Sequence, residues 1–193
     1  MGKYNEVNII IESYQNKLVG IINSEGFVKT VAFIRKIFDF KENIKVAVYD
    51  RKNFLKETGL EVPDWVVGMD YNQKIVLFEE LFDYQEDYIS KILIHEFVHC
   101  IMGSLNICIP LFLYEGLAMY FAGQSESRPY NLKMFSSLAQ LDYNTPDFYA
   151  ISYTITRKFV EYYSLDKVIS MIKTNEKNNV IEVIEELWKG KYV

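Results

Sequence analysis

The stretch from Tyr88 to Met102 constrains this chain more than any other. Tyr88, Ile89, Ile92, Leu93, Ile94, Phe97, Val98, Ile101 and Met102 cover nearly every side of a helix of that length. Such a helix belongs in a core. Yet His95, Glu96 and His99 sit in the middle of it. Positions i and i+4 share one helical face, a turn apart. His95 and His99 can therefore offer two imidazole nitrogens to one metal ion. Glu96, beside them, can hold a water that the ion activates. The chain has 2 histidines, and both lie in this H-E-x-x-H stretch. A carboxylate and two imidazoles are costly to bury without partners. A metal ion is the economical partner; the bland alternative is a polar cluster satisfied within the core.

A second helix follows closely. After a short loop, Ser104 to Ile109, Pro110 can open a helix at its first turn. That helix runs Leu111 to Phe121 and ends at Gly123, with Glu115 as its only charge. A lone carboxylate in so apolar a helix is either exposed or bound to something. A catalytic zinc takes three protein ligands and keeps one position open, and two His with one Glu is a known set. Glu115 completes that set; the alternative is a surface glutamate. Gly116 beside it costs a helix about 1 kcal/mol against Ala, and its missing side chain would let this helix and the motif helix approach closely.

Together, His95-Glu96-Phe97-Val98-His99 and Tyr114-Glu115-Gly116-Leu117-Ala118 resemble the gluzincin clan of zinc metallopeptidases, and the small peptidase-MA-like members more than the large thermolysin-like ones. The resemblance spans residues 44–170, but its sharp motifs cover only 95–99 and 114–118. It implies one zinc ion on His95, His99 and Glu115, with Glu96 as general base and then proton shuttle. It implies an α+β, zincin-like fold: a small mixed β-sheet with a backing helix and the active-site helix, then a mainly helical C-terminal subdomain. The strand at 74–78 would be the cleft's edge strand, pairing with an extended substrate. The helix Phe148–Tyr163, with its Tyr149-Ala-Ile-Ser152 run, resembles the helix that follows the third ligand in the family. There a tyrosine stabilises the oxyanion; Tyr149 is the first choice for that role and Tyr153 the second. Three departures stand out. Only residues 100–114 separate His99 from Glu115, no Asp follows Glu115 at helical spacing to orient a histidine, and no histidine outside the motif can serve as an auxiliary acid.

Composition narrows the classes. With 193 residues the chain is one compact domain or two small subdomains sharing a cleft, divided here as 1–103 and 104–193. Half the residues are hydrophobic and 24% charged, which supports a core and argues against disorder. The 15 Tyr and 13 Phe must in part line surfaces or a pocket. A net charge of -5 with no long Lys/Arg run excludes a nucleic-acid backbone as partner. Cys100 and Cys108 are read as free thiols in a reducing compartment, with a disulfide between them as the alternative. No signal-like stretch opens the chain and no apolar run reaches spanning length, so a cytoplasmic protein without a membrane span is expected. The oligomeric state is not encoded in any recognisable pattern.

Element by element, strands are expected at 7–13, 17–22, 44–49, 63–69 and 74–78, the last two forming a hairpin (65–69 with 74–78) around a turn at Tyr71-Asn72-Gln73. Helices are expected from the Ser24 cap to Asp39, from Arg51 to Glu57 between the Asp50 cap and Gly59, and from Tyr84 to Met102. Asp83 and Glu86 would form a capping-box-like start to the last of these, and Gly103 its stop. Further helices are expected at 131–141, 148–163, 165–173 and 180–188, with a polar hinge or cleft rim at 125–129. No phosphate-binding glycine loop and no Ser/His/Asp arrangement is present. The reading is a zinc-dependent peptidase acting on a peptide or protein substrate. Its rivals are a catalytically silent or latent peptidase-fold module that binds or regulates, with the C-terminal residues 189–193 able in principle to plug a cleft, and an H-E-x-x-H enzyme acting on another bond.

Overall fold

The structure, a computed structural model, describes residues 8–13, 15–124, 138, 141–174, 180 and 182–186. The expected features at 125–129, 131–141 and 189–193 fall wholly or mostly outside those residues, and the helix at 180–188 falls partly outside them. Two compact units divide at Ser104, Met1–Ser104 and Leu105–Val193. The fold is α+β with a small four-stranded mixed sheet.

In the first unit the sheet order is β1 (Ile9–Ile11), β2 (Ile44–Tyr49), β4 (Lys74–Phe78), β3 (Gly68–Tyr71). β1 and β4 both run parallel to β2, and β3 pairs antiparallel to β4. Asn72 and Gln73 take positive φ at the β3–β4 turn, the twist that a tight hairpin requires. β4 is buried from Ile75 through Phe78, with Val76 and Phe78 packed against Phe54 on one face. β4 lies between β2 and β3, so it is interior. The expected edge strand at 74–78 is therefore corrected: β3, only half-buried along its length, is the edge. The hairpin is present, but its first strand lies at 68–71 rather than 65–69.

Residues 17–22 form a helix, not a strand. In α1 (Asn16–Ile22) Leu18, Ile21 and Ile22 are buried, a spacing of three and four that a strand would divide between its faces. Gln15 caps it, its side chain accepting from the Lys17 amide at 3.0 Å. α2 (Glu25–Phe38) starts at the Ser24 cap and ends at Asp39 in the left-handed region. α3 (Arg51–Thr58) lies between an Asp50 cap and Gly59 at φ 71. A 3₁₀ turn at Glu79–Asp83 delays α4, which runs Glu86–Ser104. Gly103 lies inside α4 and does not stop it.

Two arginines organise this unit. Arg35 of α2 is buried and donates to the carbonyls of Asn8, Phe40 and Glu42 at 3.1, 3.4 and 2.8 Å. Its guanidinium lies 5.3 and 5.2 Å from the rings of Phe40 and Phe97. Arg51 donates to the carbonyls of Val62, Pro63, Asp64 and Val66 and to the carboxylate of Glu80, and stacks 4.4 Å over Phe78. One side chain thus fixes the loop ahead of β3, which holds Trp65 out at 71% exposure.

The second unit is helical in its described residues. α5 (Leu111–Ala122) is flanked by Pro110 and by Gly123 at φ 63. It packs along α6 (Phe148–Tyr163), and α6 packs on α7 (Leu165–Lys173). Gly116 makes the α5–α6 approach possible: a Cβ there would overlap Thr156 Oγ1 and the Ser152 carbonyl. Gly116 thus serves the packing of α5 on α6, a partner the sequence reading did not name. No described helix is long and apolar enough to cross a membrane.

Candidate metal centre

α4 meets the sheet through β3 and β4 and packs on α2. His95, Glu96 and His99 are all buried on it. The Nε2 atoms of His95 and His99 lie 2.9 Å apart, with the rings edge to face at 4.6 Å. Both imidazoles therefore turn the same nitrogen toward one point. Two nitrogens on a tetrahedral zinc, at Zn–N distances of about 2.0–2.1 Å, stand about 3.3 Å apart. An opening of about 0.4 Å, a small side-chain adjustment, fits the pair to an ion of that kind.

Neighbours hold this turn of α4 in place. Gly68, at the start of β3, has no side chain where a Cβ would meet Ile92 Cγ2 at 2.8 Å, Leu77 Cδ2 at 3.2 Å and Glu96 Cγ at 3.3 Å. The edge strand lies against Glu96 because that position is glycine. Cys100, next to His99, donates its thiol to Asp70 Oδ1 of β3 at 3.0 Å. Burial first, then the adjacent Asp70 carboxylate, pushes that thiol far above its ordinary range. Cys100 is thus a neutral tie and not a nucleophile. Cys100 and Cys108 are both free thiols, as the sequence suggests.

In the second unit, Glu115 is 4% exposed and sits on α5 one residue before Gly116. It is a buried carboxylate, not the surface glutamate of the alternative reading. The Tyr143 hydroxyl donates to Glu115 Oε1 at 2.6 Å. Burial, and then this bond to a carboxylate, pushes the phenol well above its ordinary range, so it stays a donor. Tyr143 was not singled out in the sequence, where it is one of 15 tyrosines in a short turn. Tyr149, in the first turn of α6, is exposed, and its ring lies 6.2 Å from that of Tyr143. Tyr153 is one turn further along α6 and half-buried.

Imidazole nitrogens such as those of His95 and His99 suit a borderline cation better than a hard, oxygen-seeking one. No protein-family model, no curated protein and no solved structure matches this chain.

Proposed function

We propose that this chain is a zinc-dependent peptidase of the gluzincin type, with a zincin-like architecture. The observation that carries the reading is the convergence of His95 Nε2 and His99 Nε2 to 2.9 Å on a buried helix, with Glu96 between them in sequence. His95, His99 and Glu115 would hold the ion. Each of the three is buried within its own unit. When bound, zinc supplies a Lewis acid that lowers the pKa of a water and polarises a substrate carbonyl. Glu96 accepts the water's proton and passes it to the departing amine. Tyr149 would donate its hydroxyl to the oxyanion, with Tyr153 as its substitute. The substrate class is a peptide or protein. The free thiols accord with a reducing, cytoplasmic setting.

The 2.9 Å separation also favours a second reading. It is the length of an N–H···N hydrogen bond, which would make the pair a metal-free polar lock in a binding or regulatory module.

One experiment decides between them: zinc content by elemental analysis of the native protein and of Glu115→Ala after dialysis against zinc. Near-stoichiometric zinc in the native chain, sharply reduced in the variant, supports the peptidase reading. No zinc in the folded native chain overturns it. Glu96→Gln should then keep its zinc and lose hydrolysis; hydrolysis at the native rate would refute the role given to Glu96.

A further inference from the structure

We propose that Tyr143 is the positioning residue of the third metal ligand. Its phenol engages one carboxylate oxygen of Glu115 so that the other is presented to the ion, making Glu115 a one-oxygen ligand. The proposal rests on the metal reading above and adds to it the element that fixes the coordination number.

The hydrogen bond is short. At 2.6 Å it has the length of a hydroxyl bound to an ionised carboxylate, roughly twice as strong as a neutral pair. The carboxylate belongs to an otherwise uncharged helix and is almost fully buried. Such a group needs a donor to stay ionised there.

The phenol is firmly held. Tyr143 lies in a turn closed from Thr145 N to Asp142 O at 2.9 Å. Asp142 accepts from the Asn144 amide at 2.9 Å, and its own amide donates to Thr145 Oγ1 at 3.1 Å. The ring is braced edge-on against Phe148 at 5.3 Å. Tyr143 is 55% exposed and yet sends its hydroxyl inward. A tyrosine serving the core would bury its ring and leave its hydroxyl outside.

A catalytic zinc with three protein ligands keeps a fourth place open. A glutamate binding through both oxygens would fill that place. Groups that hydrogen-bond to ligating carboxylates set their orientation, and their loss costs roughly 10–100-fold in metal affinity.

The test uses the full chain loaded with Zn²⁺ or Co²⁺ alone. Metal affinity is measured by competition with a chromophoric chelator, and the geometry is read from the visible spectrum of the cobalt form. Tyr143→Phe should remain folded, lose roughly 10–100-fold in affinity, and show the weaker, shifted absorption of a five-coordinate cobalt. Asp142→Ala, which unties the turn but keeps the phenol, should lose affinity to a smaller degree. It carries the test alone if Tyr143→Phe does not fold. Tyr162→Phe, an exposed tyrosine elsewhere on α6, should match the native protein. Native affinity and spectrum in both folded test variants overturn the positioning role while leaving the metal site standing. A native chain that binds neither ion removes the metal reading and this proposal with it.

Discussion

Gly68 and Glu96 are packed so closely that a methyl group on the first would sit 3.3 Å from Cγ of the second and 2.8 Å from Ile92. The edge strand and the proposed general base thus share one space. Gly68→Ala should cost about 1–3 kcal/mol by overpacking. The added methyl would press on Ile92 and on Glu96 Cγ together, so Glu96 should shift. Hydrolysis by the variant should fall about 10-fold or more, since small misplacements of a reacting group are expensive, while its zinc content stays native. Urea unfolding and turnover of a peptide that the native protein cleaves check this. Native stability in the variant would show that the contact relaxes freely.

Gly116 poses a harder constraint, because what blocks a side chain there includes backbone. Gly116→Ala should lose about 3 kcal/mol or more, seen as a lowered denaturation midpoint of the helical unit. Adding Thr156→Ala removes one obstacle but leaves the Ser152 carbonyl. The double variant should stay well below native stability; full recovery would mean that the hydroxyl alone sets the helix spacing.

Arg35 joins the carbonyls of Asn8, Phe40 and Glu42. Burial holds its guanidinium down to about 10, so it remains charged at neutral pH. Arg35→Met should destabilise by about 2 kcal/mol, the order of a hydrogen bond to a charged group. Arg35→Lys should not recover it, because one ammonium cannot span acceptors fixed for a planar fork. Thermal unfolding of the two variants side by side tests both statements.

The acid limb of the stability curve should depend on Glu12. Its carboxylate meets Lys45 at 2.9 Å and Lys74 at 3.2 Å, joining the residue after β1 to β2 and β4. The hydrogen bond from Lys45, opposed by some desolvation and aided by Lys74, holds Glu12 below its ordinary value of 4.5. A carboxyl lowered in the folded state stabilises it fully above the unfolded value and loses that contribution as pH falls through the folded one. Glu12→Gln should therefore be less stable than native at pH 6 and converge with it below the carboxylate range. Parallel curves for the two proteins from pH 6 down to pH 3 would remove Glu12 from the account.

The elements legible in the sequence are those whose period and caps agree. α2 between Ser24 and Asp39, β2 at 44–49, β4 at 74–78, and α6 and α7 all lie where alternation or helical spacing puts them. The run Leu18-Val19-Gly20-Ile21-Ile22 was not legible as a helix, because a short β-branched stretch fits either period. The interior place of β4 accords with its four consecutive apolar residues, Ile75 to Phe78. Gly103 failed as a stop because α4 needs no left-handed residue there. His95, Glu96 and His99 share one turn, so local spacing alone brings the histidines together. Tyr143 meets a residue 28 positions earlier from a turn whose sequence, Asp-Tyr-Asn-Thr, speaks only of itself. Gly68 likewise carries no signal for a helix 24 residues on.

The clasp that Arg51 makes on the 62–66 loop has an optical consequence. Trp65 is the one described tryptophan, and it stands in water on a segment whose carbonyls are pinned to a single guanidinium. An indole on an unrestrained loop loses its polarisation within nanoseconds through its own wobble. Here the backbone that carries Trp65 is held, so the slow part of its depolarisation would follow the tumbling of its unit, turning the most exposed of the described rings into a gauge of that unit's rotation.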